Sequence, residues 1–386
     1  MDHTEGCFMR KQEAFRLEIV NKYLNKLLTR KEAARLCDLS ERSISRLAGK
    51  VERQGAFGVI HSNRGKEPHN KISTVQKEFV LDLVREKYFD FNLTHCLEIL
   101  QEQHKVEDLS YATFRRWMLN TKLIKRAKRR SARVRKQRTR MAQQGLMLQM
   151  DGSPHRYNGR DEWWLIWAID DATSEIPYGE FFLGEDTISC MAVLQKIIEK
   201  KGLPVCIYVD KAGLFGGPKR VNFSQFKRAC EELGIKIIYA NSPEAKGRVE
   251  RSFDIAQDRL CPELRVRNIK SINKANDYLQ QQFLPNYWNK KNTVTARNLE
   301  PAYKPLPQHI NLKEVFCLKE YRSVKRDHTI SYNSETFQVE SPHKYSIWKQ
   351  KIEIRTYQDL TWKAFYGSHE VKLTKIVKTE KLKLLA

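Results

Sequence analysis

The 386-residue sequence predicts a multidomain chain: an all-α helix-turn-helix N-terminal region, an α/β core with a mixed sheet, and a small all-β C-terminal barrel. Three observations carry this. Up to residue 121 the apolar residues recur near the helical period of about 3.6 residues. From residue 146 the pattern changes to short apolar runs alternating with helical stretches, the signature of strands and helices in one layer system. Beyond residue 320 only short β-rich runs separated by turns remain, as in a small barrel.

Composition narrows the function. The chain has 70 Lys+Arg against 46 Asp+Glu, a formal net charge of +24, and 41% hydrophobic residues. That apolar fraction excludes wholesale disorder. No apolar run approaches the roughly 18–20 residues of a membrane span, and the first residues have no apolar signal core. The eight cysteines are scattered without a CxxC or paired Cys/His spacing, which argues against both a zinc finger and a disulfide scaffold. A cytoplasmic protein that meets nucleic acid is the expectation, nucleoid-associated in a prokaryotic cell; a basic enzyme of another kind is the alternative. The charge is uneven: residues 1–150 carry a net +15, residues 151–200 a net −6, and residues 201–386 a net +15. A polyanion-binding protein gains nothing from an acidic island, so the carboxylates form either a solvated surface or a cation site.

The first element, residues 11–27, places Phe15, Ile19, Leu24 and Leu27 near one helix face. Thr29 with Glu32 is a capping box for the next helix. Asp38-Leu39-Ser40 is a turn, and Ser40 caps a second helix with Ile44 and Leu47 inward and Arg42, Ser43, Ser45 and Arg46 outward. A short helix, a tight turn and a polar-faced second helix predict a helix-turn-helix DNA-binding domain over 1–60. Residues 61–68 read as a linker whose Arg64 suits a minor groove or merely a solvated loop. Helices over 75–87 and 94–103, and a third capped by Ser110 with Phe114 and Trp117 inward and Arg115 and Arg116 outward, predict a second helical DNA-binding domain over 70–121. Residues 122–140 hold 11 Lys+Arg and no acid. This basic linker, 122–142, includes Lys128, Arg129, Arg130, Arg133 and Arg135, which would neutralise phosphates along a duplex.

The core, 143–292, reads as strands at 146–151, 163–171 and 176–183, a helix at 187–200, a strand at 205–210, a helix at 223–233, a strand at 235–240 and a helix from 244 to 260. Two apolar strands each end in an acid, Asp151 and Asp210, and the last helix carries Glu250. Rigid strand ends can gather carboxylates on one face of a sheet, the donor set for Mg²⁺, and two such ions can polarise both oxygens of a phosphodiester displacement. Glu250, four residues after Lys246, also suits a surface ion pair. Asp170 and Asp171 are read as shaping the turn into Ala172-Thr173. Lys246 and Arg248 are read as phosphate clamps. Ser242 and Tyr157 have no base at legible spacing, which argues against a covalent mechanism.

The stretches LMLQMDGSPHRY, WWLIWAIDDATSEIPYGEF, VCIYVDKAGLF and YANSPEAKGRVERSFDIAQDRL resemble those of insertion-sequence transposases with a retroviral-integrase-type core, close to the ISNCY type. The resemblance covers nearly the whole chain. It implies an RNase H-like fold for the core and Asp151, Asp210 and Glu250 as catalytic triad and metal ligands for two Mg²⁺ ions, with Mn²⁺ as a substitute. It implies a DDE polynucleotidyl transferase that binds terminal inverted repeats and target DNA, cleaves, and transfers a 3′-OH to the target. Two departures stand out. Asp38 stands where the family usually has Gly, and Asp210 is followed by Lys-Ala-Gly rather than the Asn-Gly common in integrases.

Residues 293–307 are Pro-rich and read as a linker, and 308–386 as the barrel, placed to meet DNA or a second protomer or to act as a stabilising cap. One chain supplies one triad, whereas two element ends must be joined, so at least a dimer on DNA is expected. A silent DNA-binding regulator and an RNase H-like nuclease without transposition are the alternatives.

Overall fold

A computed structural model describes residues 9–61, 63–64, 71–125, 139–210, 224–240, 247–340 and 345–376. The chain divides into two compact units, Met1–Lys77 and Glu78–Ala386.

The first unit holds α1 (Lys11–Leu24), α2 (Arg30–Cys37) and α3 (Glu41–Gln54), followed by a 3₁₀ turn, Gly55–Val59. Both expected caps form. Thr29 Oγ1 accepts from the Glu32 amide within a reciprocal capping box, and Ser40 Oγ accepts from the Ser43 amide. Asp38 ends α2 in the left-handed region at φ 50°, so an aspartate fills the conformation that glycine usually supplies. The core is Ile19, Val20, Ala33, Ala34, Cys37, Ile44, Ala48 and Val51. Phe15 and Leu27, expected inward, are 45% and 72% exposed. Leu27 lies beyond α1, which stops at Leu24, and Phe15 lies on α1 but off its buried stripe, which runs through Ile19 and Val20.

The second unit contains the later part of α4 (Thr74–Glu86), then α5 (Leu93–His104) and α6 (Tyr111–Asn120). Ser110 caps α6, with Phe114 and Trp117 buried. The central sheet follows, formed by β1 (Met147–His155), β2 (Trp163–Asp170), β3 (Gly179–Phe182), β4 (Cys206–Val209) and β5 (Lys236–Tyr239). Its order is β3-β2-β1-β4-β5. The first three strands form an antiparallel meander, and β4 and β5 add in parallel beside β1. Parallel addition needs crossovers, supplied by α7 (Thr187–Lys201) and α8 (Gln225–Glu232). This mixed sheet flanked by helices is the architecture that the sequence leads one to expect.

Alternation along β1 divides two cores. Leu148 and Met150 face α7 and α8 in a cluster with Ile166, Cys190, Leu194, Ile207 and Phe226. On the other face, the side of Gln149 and Asp151, Trp167 and Ile169 pack under α9 (Gly247–Val266) through Val249, Phe253 and Ala256. Trp167 stacks on Phe253 at 4.9 Å and 7° and donates its indole N–H to Ser252 Oγ at 3.1 Å. Helix α10 (Ile272–Tyr278) and a π-helical stretch, Leu279–Trp288, complete that core, and α11 (Asn289–Lys291) ends it.

The Pro-rich segment, expected as a linker, is strapped along the core. Val294, Asn298 and Ala302 amides donate to the carbonyls of Thr173, Ala142 and Gln144, and Leu203 and Lys304 exchange both backbone hydrogen bonds. Gly145, at φ +82°, lies so close under the Tyr303 ring that a Cβ there would come within 2.7 Å of it. A short helix α12 (Leu312–Val315) then buries Leu312, Val315 and the following Phe316 in the α7–α8 core.

Seven strands follow: β6 (Leu318–Ser323), β7 (Thr329–Tyr332), β8 (Glu335–Val339), β9 (Lys351–Thr356), β10 (Trp362–Tyr366), β11 (His369–Val371) and β12 (Leu373–Lys375). They hydrogen-bond as two antiparallel sheets, β11-β10-β9-β6 and β12-β8-β7, around one core of Val324, Ile330, Phe337, Ile352 and Ile354. The expected β-strands are there; among the described residues no ladder joins the two sheets into a closed barrel. Among the described residues no helix is long and apolar enough to cross a membrane.

The expected second helical domain is tied to the core through α5 and α9. Arg259 on α9, 8% exposed, pairs with Glu98 of α5 at 2.7 Å and with Glu263 at 3.1 Å, and lies 3.6 Å over the Tyr287 ring. His95 of α5 meets Glu263 at 2.9 Å, and Arg265 donates to Asp90 at 2.8 Å. Burial pushes the Glu263 carboxyl up, but hydrogen bonds from His95 and Tyr278 and the Arg259 charge outweigh it and hold it below the usual carboxylate range. A depressed carboxylate stabilises above its unfolded pKa of about 4.3 and loses that contribution as pH falls through the lower folded value. We expect Glu263→Ala, which leaves Arg259 and Glu98 in a broken buried network, to cost about 3–5 kcal/mol near pH 7. Hydrogen exchange in α5 should accelerate accordingly, and the gap from the native chain should narrow as pH falls through the depressed folded value of the Glu263 carboxyl.

Candidate active site

Beta register places the first two acids. On its parallel side β1 pairs with β4 only as far as Gln149↔Tyr208. Asp151 and Asp210 each lie two residues beyond that pair, so alternation directs both toward the face that Gln149 and α9 share. The sequence suggested that β1 ends at Asp151, but the strand continues to His155. Residues Gly152 to His155 keep pairing with β2, from Gly152↔Ile166 to His155↔Trp163. A proline at 154 is tolerated because the β4 ladder has already ended. Among the described residues, the stretch of β1 that carries Asp151 is paired on its β2 edge alone. It is half-buried, as is Asp210.

The third acid lies on α9. Val249 donates its amide to Gln149 Oε1 at 3.4 Å, and Ser252 and Phe253 meet Trp167, which faces Asp151 across the β1–β2 ladder. The first turn of α9 is thereby laid along the stretch of β1 that carries Asp151. Glu250 is on the exposed side of that turn.

Two further acids stand here that sequence reasoning missed. A Cβ on Gly152 would come within 2.5 Å of Glu185 Oε1, so the Glu185 carboxylate lies against Gly152, the residue after Asp151, on the face of β1 that Leu148 and Met150 share. Asp186 caps α7, accepting from the Ser189 amide at 2.7 Å. Cys190 on α7 registers the combined field: burial first, then the charges of Glu185, Asp186, Asp151 and Asp210, push its thiol well above the ordinary range. The only signal of these residues in the sequence was the acidic island. Most of that island has local structural work. Asp170, fully buried, accepts from the amides of Gly145, Ala172 and Thr173 and from the Thr173 hydroxyl, at 2.7–3.0 Å. Burial nevertheless raises its carboxyl above the usual range. Glu175 pairs with Lys201 at 2.7 Å. Asp170 thus shapes the turn as expected.

Asp171 does something else. It is fully buried and receives Arg248 Nη1 at 2.6 Å and Gln149 Nε2 at 2.7 Å on one oxygen, and the Met141 amide at 2.9 Å on the other. Arg248, expected to face phosphate, is turned inward with 21% of its side chain exposed.

The donor set suits a hard cation. Asp151, Asp210 and Glu250 offer carboxylate oxygens only, partly open to solvent, and the neighbouring thiol is protonated and buried. Among the described residues no three His, Cys, Asp or Glu side chains converge tightly enough to form a ready-made metal cage.

The expected nucleic-acid residues fall in several places. Arg42 and Arg46 are exposed on α3, whereas Ser43 is half-buried and its hydroxyl bonds Ser40 Oγ at 2.8 Å within the cap. Arg64 pairs with Glu13 at 2.6 Å. Arg115 and Arg116 are exposed on α6. Lys128, Arg129, Arg130, Arg133, Arg135 and Lys246 lie outside the described residues.

No protein-family model matches the chain. Among curated proteins it is 31% identical over 343 residues to a protein of Sinorhizobium fredii named as a transposase, covering 86% of this chain and 74% of that one. It is 30% identical over 296 residues to the transposase for insertion sequence IS1202 of Streptococcus pneumoniae, covering 65% of this chain and 62% of the relative. Among solved structures it resembles a chain of the simian T-cell lymphotropic virus intasome at TM-score 0.36 and 13% identity, over 71% of this chain and 97% of that one. The HTLV-2 integrase catalytic core, solved with magnesium, matches at TM-score 0.30 and 20% identity, over 38% of this chain and 93% of that one. The first of these relatives, matched across three quarters of its length, decides the matter: the chain belongs to the insertion-sequence transposases.

Proposed function

We propose that this transposase binds the terminal inverted repeats of its element and catalyses metal-dependent strand cleavage and strand transfer at Asp151, Asp210 and Glu250. The observation that carries the reading is the shared two-residue offset of Asp151 and Asp210 beyond the β1–β4 ladder, under the helix that carries Glu250. In this reading Asp151 and Asp210 anchor a pair of Mg²⁺ ions and Glu250 completes one site. When bound, the ions supply Lewis-acid polarisation of the attacking and leaving oxygens. The two steps are then one chemistry used twice. Water attacks a phosphodiester at the element's end, forming one P–O bond and breaking another to release a 3′-OH. That 3′-OH attacks a target phosphodiester in the same way, so no high-energy cofactor and no covalent protein link is required. The chain's own residues orient the strand and hold the carboxylates on rigid elements. The helix α3 with Arg42 and Arg46 reads the repeat, and the basic stretch through Arg129 to Arg135 neutralises phosphates without regard to sequence. Two protomers or more act on paired ends, since each chain carries one triad.

Asp151→Asn, Asp210→Asn and Glu250→Gln should each abolish cleavage of a terminal-repeat duplex while its binding stays within about twofold; cleavage surviving in any one of them removes that acid from the triad.

Arg42→Ala with Arg46→Ala should erase the footprint on the repeat but leave nonspecific binding. Gln at 129, 130, 133 and 135 should weaken all duplexes alike, lowering the salt slope by roughly one unit per lost phosphate contact. An unchanged footprint in the first variant refutes repeat reading by α3.

Mixing a triad-dead chain with one lacking residues 308–386, on paired ends, should restore strand transfer if protomers act in trans. A paired-end complex whose mass fits one protomer refutes the assembly.

A further inference from the structure

Arg248 lies two residues before Glu250 in a strongly basic chain, and a cation there invites the role of phosphate clamp. Its surroundings assign it elsewhere. The guanidinium donates at 2.6 Å to Asp171, a carboxylate with no exposed surface at the end of β2. The same Asp171 oxygen receives Gln149 Nε2 at 2.7 Å, and Gln149 Oε1 in turn accepts the Val249 amide at 3.4 Å. Gln149 is fully buried. The amide of Val249 lies near the start of α9 as described, and it donates to a side chain of the neighbouring strand. The Met141 amide, at 2.9 Å, fixes the other Asp171 oxygen.

The offsets match. Gln149 precedes Asp151 by two residues on β1, and Arg248 precedes Glu250 by two on α9. The joint between the two elements is therefore made one step before the two acids. Drawing Arg248 away to a phosphate would leave the Asp171 charge buried without its guanidinium, which is unfavourable.

We propose that Arg248 is a positioning residue: with Asp171 and Gln149 it forms a buried bracket that sets the first turn of α9, and with it Glu250, against β1. This rests on Glu250 being the third acid of the site.

The test uses the full chain, Mg²⁺ and a terminal-repeat duplex, with Arg248→Met and Asp171→Asn as the disrupting variants and Arg248→Lys as the conservative one. Groups that orient metal-binding side chains typically matter by about 10–100-fold. Both disrupting variants should therefore lower cleavage at least about tenfold and raise the Mg²⁺ concentration for half-maximal rate by a similar factor. Affinity for the duplex and its salt slope should not change, the Val249 and Glu250 amides should exchange faster, and Arg248→Lys should recover much of the rate. Asp171→Asn preserves shape, so it answers the question even if Arg248→Met folds poorly. A phosphate clamp predicts the opposite: Arg248→Met lowers affinity and flattens the slope by about one unit, with the Mg²⁺ midpoint and α9 exchange unmoved. That result, or unchanged exchange in Asp171→Asn, overturns the bracket. If Glu250→Gln proves fully active, the triad reading fails instead, and the exchange measurement still decides whether the bracket exists.

Discussion

Everything in the second unit depends on β1 having two different neighbours. An antiparallel partner on one edge and a parallel partner on the other give its two ends different lengths of support. Its alternation then sorts Leu148 and Met150 into one hydrophobic core and Gln149 and Asp151 toward the other. Because the parallel ladder stops before the antiparallel one, the acid sits on a stiff backbone that, among the described residues, is paired on one flank only. Stiffness and access usually conflict; a ladder that ends earlier on one edge than on the other provides both.

The acidic island between two basic flanks turns out to be three populations. Asp170 serves a turn, satisfied by backbone amides. Asp171 serves as a buried anchor for a cation from another element. Asp151, with Glu185 over its neighbour, remains in the open part of the sheet end. Buried carboxylates need dedicated donors: Asp170 finds most of its own within its turn, whereas those of Asp171 come from β1, α9 and the Met141 amide. Net charge per segment therefore pointed to the right region without distinguishing the roles within it.

Much of this was legible in the sequence because local physics dictates it. Thr29, Ser40 and Ser110 cap helices wherever the tertiary fold puts them, and the apolar runs of the core strands are too β-rich to be anything else. The Gln149–Asp171–Arg248 contact was not legible. It joins residues 22 and 77 positions from Asp171, and no periodicity links a strand, a turn and a helix start. Arg248 is the example: a basic residue beside a site looks like a ligand contact, and only the fold shows its buried partner Asp171. The Pro-rich strap was missed similarly, since its backbone bonds to Thr173, Ala142 and Gln144 are invisible to composition. Phe15 failed differently. It matched the period of a helix whose buried stripe is narrower than the pattern suggested.

Helix α9 spans 20 residues, about 30 Å at 1.5 Å per residue. Its first turn is seated on β1, and its last turns are clasped to α5 by Arg259, Glu263 and Arg265. A rod fastened at both ends transmits torque. A tilt of α5 would therefore be felt along α9 at the turn that bears Glu250, so α5 and β1 are two arms joined by one rod.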